Sequence, residues 1–556
     1  MNPSARLLRL LPTLTLGLVT LVTLAYFVGA HEGLYALDDY YYARYAQQLL
    51  AGTFHLGPDP LHRLHDPLHE RWLIFVPVAG LYALLGVNIW STTLWPLLAT
   101  LACLGLIWTT YRRRAPLVAS GALVLLGLHY FSLNLTAYLY PDNVNMLACL
   151  GAALALLRGR RAPGRAAVGW GVAFAGLNLA ALLCKETVVF YAPFYLALLL
   201  LDARRGRWRF WLAAGGAGAL LLGAYLGFYR WQTDDALYRL HLIEHTNEVL
   251  SEGNYLVGNR AALWHRLTLA PLQVLLGTGL GLAALLALGA AWPPRRAAAG
   301  APAATPEATN DRHFWLGLAL STLAVYWLGS TSLAHYNPIS LVPRMLTPLL
   351  PPLCLAAGFG LADVLASGRR AALYAAGLGL LAGLDRGSAA LLYAGCAAVL
   401  AGLALPPLAQ GLRRRRPGRY GALGVWGLAA VLALRPGYLL LKPSVSGHFP
   451  QARLISSQLQ PPRRGVVFVD DYLIGNYDFY YGFRVPPGLR FRRYWARDSV
   501  RLAPGEGTWL LLNRATLSNP ELTRKLLRYS PDSVLRWYPR RRLLAQDGPV
   551  ELYQIR

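Results

Sequence analysis

Charge is scarce in this chain. Of its 556 residues only 14% are charged and 27 are acidic, against 55% hydrophobic. With a mean hydropathy of +0.36, that shortage excludes an ordinary soluble protein and implies a polytopic membrane protein with some soluble mass. Cysteine is sparse too. Cys103, Cys149, Cys184, Cys354 and Cys396 fall in or at the ends of apolar runs without CxxC spacing, so neither a disulfide framework nor a zinc site is supported. No HExxH motif occurs, and His55, His62, His65 and His69 lack a ligand pattern that would make a metal centre. No Gly-rich phosphate loop opens a helix beside a strand in the first 441 residues, which argues against a nucleotide-sugar site, and no internal repeat of the secondary-transporter kind is present. Lysine is nearly absent, so Lys185 at the edge of an apolar run stands out.

Arginine is what the chain has in abundance. A formal net charge of +26 would suggest nucleic acid in a soluble protein. Here the clusters Arg112-Arg113-Arg114, Arg158 to Arg165, Arg204 to Arg209, Arg295-Arg296, Arg369-Arg370 and Arg413 to Arg419 sit between apolar runs, and the positive-inside rule places each on the cytoplasmic side with no nucleic acid involved. A basic surface also suits anionic lipid headgroups and lipid phosphates.

The first apolar run, Leu7 to Phe27, follows Arg6 and Arg9. Val28-Gly29-Ala30 resembles a cleavage site, but the run is long enough to span and reads as an uncleaved signal anchor. If Trp72 to Leu85 and Thr92 to Thr109 both crossed, the Arg112 cluster would land outside. Leu68 to Leu85, with Pro77 inside and Glu70-Arg71 at its start, is therefore predicted to lie in the outer interface, and Ser91 to Tyr111 to be the second span. Further spans are predicted near 115–137, 143–157, 167–184, 188–201, 210–229, 267–291, 314–330, 345–366, 371–384, 389–410 and 420–441, about thirteen in all. Pro293 to Asn310 reads as a linker. Residues 1–441 thus form a transmembrane domain with a first external loop at 30–90. Residues 442–556, with strand-like Gly465 to Asp470 and Thr508 to Leu512 and a helical stretch near Glu521 to Tyr529, form a small α/β domain that an odd number of spans puts outside.

Acids and cations then gather on the outer face. Asp38 and Asp39, just beyond the first span, are placed where a carboxylate stays ionised beside a membrane-embedded substrate, although acids there also suit a helix start. Asp142 follows Pro141 in a turn between spans, where it would equally cap a helix. Lys185-Glu186 lies between two apolar runs, a fourth loop at 230–266 carries Arg239, Glu244 and Arg260, and a fifth at 330–344 carries His335, Tyr336 and Arg344.

These residues resemble a family. Asp38-Asp39-Tyr40-Tyr41-Tyr42-Ala43 is similar to the "DE-x-x-Y-A" loop motif of the GT-C glycosyltransferases, in particular the aminoarabinose-transferase and protein O-mannosyltransferase branch. His65-Asp66-Pro67-Leu68 with Leu85-Gly86 resembles that branch's "K-P-P-L … F-G" segment. Asp142 falls at its second aspartate, Lys185-Glu186 at its "K-E" pair, and Arg344-Met345-Leu346-Thr347-Pro348 at its "R-Y-L-x-P" span. The second acid is Asp39 where the family commonly has Glu, and Asp66 replaces the Lys, so the donor or acceptor differs from the aminoarabinose branch's own.

The resemblance implies a GT-C-like α-helical membrane protein of the bacterial cytoplasmic membrane. Its active site and tail would face the periplasm, and it would move a sugar from a polyprenyl-phosphate donor to a lipid, glycan or protein acceptor. In-line attack would invert the anomeric centre. Asp38 is expected as general base, with Asp39 or Asp142 orienting acceptor or base. Lys185 and Arg344, with Arg260 as an additional candidate, are expected to hold the departing phosphate. Tyr42, Glu186, His335, Tyr336 and Asp66 complete the expected substrate-binding set. The residues leave open a divalent cation, magnesium or manganese. Two other readings stand beside this one: a flippase or transporter of lipid-linked glycans, which would show mid-span ionisable groups and broken helices, and a lipid-linked glycan ligase or polymerase.

Overall fold

The structure, a computed structural model, describes residues 3–34, 37–56, 68–249, 260–292, 306–367, 370–405, 417–442, 447–461, 463–519, 527 and 529–556. Asp66, with His62 and His65, the Arg413–Arg416 part of one cluster, and most of the expected helix near Glu521 lie outside the described residues.

Apolar runs become helices because a chain in hydrocarbon must satisfy its own backbone groups. In order they are α1 (Pro3–Gly29), α2 (Leu37–Leu50), α3 (Trp72–Leu85), α4 (Ile89–Tyr111), α5 (Pro116–Gly127), α6 (Tyr130–Asn134), α7 (Pro141–Gly159), α8 (Gly164–Cys184), α9 (Ala192–Ala203), α10 (Arg209–Thr233), α11 (Tyr238–Val249), α12 (Arg260–Thr268), α13 (Ala270–Gly277), α14 (Leu280–Leu288), α15 (Pro306–Leu328), α16 (Leu350–Ser367), α17 (Ala371–Leu384), α18 (Ala389–Ala404) and α19 (Pro417–Leu441). Among the described residues seven helices are long and apolar enough to cross a membrane, or nine if each of two bent pairs is one span. The remaining four predicted crossings are also helical, as α7, α15, α17 and α18. α3, at 14 residues, is too short to span upright.

Two predicted spans are broken rather than straight. Residues 116–137 bend by 63° between α5 and α6, and 270–291 by 103° between α13 and α14. The second bend needs Gly279, whose φ of +81° is open to glycine and strained for other residues. Neither break carries an Asp, Glu, Lys or Arg, and the first carries the buried His129. α15 also departs from expectation, starting at Pro306 inside the stretch read as linker. Its first turns carry charge into the interior because that charge is paired: Asp311 with Arg161, and Arg312 with Asp363 at 2.7 Å.

Small residues let the helices approach closely. α16 presents Gly358 and Gly360 to α5 and α14, and a Cβ at Gly360 would lie 1.9 Å from the Leu286 carbonyl oxygen.

Beyond α19 a short helix, α20 (His448–Gln458), precedes a five-stranded sheet of β1 (Gly465–Val469), β2 (Leu489–Arg493), β3 (Gly507–Asn513), β4 (Arg541–Asp547) and β5 (Val550–Ile555) in the order β2-β1-β3-β5-β4. β2, β1 and β3 are parallel, and β5 runs antiparallel to both β3 and β4. All five residues of β1 are buried, as a continuous apolar run between covered faces requires. This unit docks on the segment between α1 and α3. Arg44 donates to the Gly475 carbonyl at 2.7 Å and to Asp478 at 3.1 Å, and the Tyr40 and Tyr480 hydroxyls are 3.1 Å apart. Gly33, at φ +82°, lies flat beneath the His448 ring, where a Cβ would stand 2.2 Å from it.

Candidate active site

The site begins at the start of α2, where Asp38 and Asp39 occupy the first turn, the end of a helix that favours negative charge. Arg344 reaches Asp38 from a 3-10 turn, Pro343–Leu349, which Pro343 starts and Pro348 helps hold short of an α-helix. The Asp38 carboxylate and Arg344 guanidinium are 3.1 Å apart, with side chains 22% and 33% exposed. Arg344 also lies over the Tyr140 ring, 4.7 Å from its centroid.

A second pair is closed off from water. Asp142, in the first turn of α7, accepts from Lys185 Nζ at 2.8 Å, and both side chains are buried. Lys185 is an extended residue between α8 and a 3-10 turn, which presents its ammonium to the start of α7. The other Asp142 oxygen is buried without a hydrogen-bond partner among the described residues. The two pairs share one field: Arg344 interacts electrostatically with both Asp38 and Asp142, and Lys185 with both Arg344 and Arg71.

Glu186 and Tyr42, expected to bind substrate, are engaged by the protein itself. Glu186 joins Arg71 at 3.2 Å and Arg239 at 2.9 Å, while Arg71 donates to the Tyr42 hydroxyl at 2.8 Å. They brace the floor beneath the two pairs. Asp39 is fully buried behind Asp38. Arg260 is exposed at the start of α12, Tyr336 is exposed and donates to the Leu328 carbonyl at 3.2 Å, and His335 is half-buried. None of these three makes a described contact with the four charged residues. Among the described residues no three His, Cys, Asp or Glu side chains converge as a metal would need.

The cations Arg71 and Arg239 and the ring of Tyr140 were not singled out from sequence as parts of the site. A signal for the cations was present: arginines in loops expected to be external run against the positive-inside rule. Arg266 is one more, buried and donating to the carbonyls of Ile339 at 2.7 Å and of Tyr326 and Trp327 at 3.1 Å, so that it holds the loop leading to Arg344.

Beside this floor Glu70 is fully buried, 3.3 Å from His69. Burial pushes its carboxyl up to about 7, more than the neighbouring Arg239 and Arg71 pull it down. Between the ordinary carboxyl range and pH 7 the folded protein therefore keeps a proton that the unfolded chain has lost. Stability falls as pH rises through that window, and the loss is complete above it. Glu70→Gln is expected to flatten the dependence of melting temperature on pH there, and an unchanged slope would contradict the buried-acid assignment.

Two crystal structures of ArnT from Cupriavidus metallidurans, one bound to undecaprenyl phosphate and one in the apo state, share this architecture. Each superimposes with a TM-score of 0.54 and 15% sequence identity over 98% of this chain and 97% of the other. No family model and no curated protein matches the sequence. What the likeness establishes is the fold: a polytopic α-helical architecture shared with these ArnT structures, closed by a small C-terminal α/β unit.

Proposed function

We propose that this protein is an integral-membrane glycosyltransferase that moves a sugar from a polyprenyl-phosphate donor to an acceptor hydroxyl or amine at the outer face of the membrane. The observation that carries the reading is the Asp38–Arg344 pair, a half-open acid and cation coupled to the closed Asp142–Lys185 pair. It is supported by the undecaprenyl phosphate bound in a neighbour of the same fold. The arginine clusters at the far ends of the helices support an outer location for the pairs.

The chemistry follows from charge. A donor phosphate entering the site competes with Asp38 for Arg344, whose planar fork matches two phosphate oxygens. As Arg344 turns to the phosphate, Asp38 is released as a base. The acceptor oxygen or nitrogen then attacks the anomeric carbon from the side opposite the phosphate and its proton passes to Asp38. The carbon–oxygen bond to phosphate breaks, with the electron pair leaving on the phosphate. Lys185 and Arg344 stabilise that growing charge more than they stabilise the ground state, which is what accelerates the step. In-line geometry inverts the sugar configuration. Asp142 holds the Lys185 ammonium toward the phosphate.

The test is release of undecaprenyl phosphate from undecaprenyl-phosphate sugars by the reconstituted full chain when candidate acceptors are added. Acceptor-dependent release with an inverted product supports the reading; transbilayer movement of donor without release supports the flippase. Arg344→Lys keeps the charge and loses the fork. It is expected to weaken undecaprenyl phosphate binding about tenfold, measured by titration in detergent, and full affinity would remove Arg344 from the phosphate site.

A further inference from the structure

At the other end of the same helices lies a cavity that the proposed transfer does not use. α7 runs from Asp142 to its end at Gly159 over roughly 25 Å at about 1.5 Å per residue, and α9 carries Asp202 at the end remote from Lys185. There the turns after α7 and α9 and the starts of α10 and α15 frame a half-open cavity of about 780 Å³. Phe194, Phe210, Phe314 and Leu198 form apolar walls, and five arginines, Arg160, Arg161, Arg205, Arg207 and Arg209, line it with His313.

Two of the five arginines are already matched. Arg160 grips Asp202 through two nitrogens at 2.5 and 2.7 Å, and Arg161 meets Asp311 at 2.5 Å. Asp202 also accepts from the Trp211 ring at 3.0 Å, and Asp311 from the Tyr111 hydroxyl at 3.0 Å, so both acids are committed. Arg205, Arg207 and Arg209 are exposed and have no carboxylate at ion-pair distance among the described residues. Gly206, at φ +70°, makes the tight turn that brings Arg205 and Arg207 to the same cavity. Trp208 beside them is 47% exposed, as tryptophans at a membrane–water boundary are.

The phenylalanines are buried in the core behind the pocket, so the apolar surface open at its rim is that of Trp208, beside three exposed arginines without a carboxylate at ion-pair distance among the described residues. Together they suit an amphiphile with a phosphate at its charged end: forked donors take the oxygens, and the Trp208 ring covers the first carbons of the chains. We propose that this cavity binds the phosphate headgroup of an anionic membrane lipid, on the face opposite the Asp38–Arg344 pair. A free phosphate ester would use the same arginines and leave the exposed ring of Trp208 in water. The inference is independent of the transfer reaction.

The test is native mass spectrometry of the detergent-solubilised full chain with phosphatidylglycerol, phosphatidylcholine and inorganic phosphate as probes. The wild-type chain should retain phosphatidylglycerol over phosphatidylcholine. Joint replacement Arg205→Ala, Arg207→Ala and Arg209→Ala should weaken that binding by at least about tenfold, with the melting temperature unchanged. Joint replacement Arg112→Ala, Arg113→Ala and Arg114→Ala, which removes the same charge from the same side, should leave it intact. Equal loss in both variants, or none in the first, would overturn the site. Inorganic phosphate binding that disappears in the first variant, without any preference for phosphatidylglycerol, would assign the cavity to a free ester and overturn the lipid. If the first variant does not fold, Arg207→Glu alone should show the same loss, and lipid binding undiminished in it would reject the proposal.

Discussion

Asparagine in place of Asp38 is expected to lower the rate of sugar transfer about a thousandfold, the range a positioned general base contributes, while the protein stays folded. The two halves of that expectation have separate physical origins. The amide keeps the shape of the carboxylate and an oxygen for Arg344, but it accepts no proton from the acceptor. The pair is also part-exposed at 22% and 33%. Ion pairs in contact with water add about 1 kcal/mol or less to stability, so the melting temperature should hardly move. The loss should fall on kcat rather than on the KM for donor, because Asp38 acts on the acceptor only as the bond breaks. Initial rates of undecaprenyl phosphate release, with melting curves on the same preparation, check both. Retention of release within a few-fold would end the role of Asp38 as base.

The buried pair should behave in the opposite way. Asp142→Leu leaves the Lys185 ammonium enclosed without its partner, and a stranded buried charge costs about 3–5 kcal/mol. Adding Lys185→Met removes the stranded charge and should restore most of the stability, since apolar side chains of similar volume replace buried ion pairs at little cost. Transfer should not return, because the cation that meets the phosphate is gone. Thermal melting gives the stability half of this cycle and product release the functional half. A stable, active double variant would show the pair to be structural alone. A single variant that melts normally would show that water reaches Lys185, contrary to its burial.

Much of the fold was legible because hydropathy and charge act locally. Each segment expected to cross is helical, α3 is short where an interfacial helix was expected, and GVVFV became the buried strand β1. The site was legible in part. Asp38, Asp142, Lys185 and Arg344 stand out singly, as charges at the edges of apolar runs. Nothing in their spacing says that Asp38 meets Arg344, 306 residues away, or that Lys185 turns to Asp142 rather than to its neighbour Glu186. Glu186, expected as a substrate contact from its place in the Lys-Glu pair, is held by Arg71 and Arg239, and its spacing gives no sign of these partners from distant loops. The bends at 127–130 and 277–280 were missed for a related reason: glycine within an apolar run is common in membrane helices, and only packing decides which one breaks the rod.

The order of its apolar segments, the face on which its arginines collect and the identity of its exposed acids belong to this protein's sequence, since transfer into a bilayer is summed residue by residue along the chain. Which acid finds which cation, which helices bend and where a cavity is left between arginines and phenylalanines were decided by the tertiary structure. Those outcomes depend on how whole helices pack, and a charge pair far apart in the chain is specified by every contact between the elements that carry it.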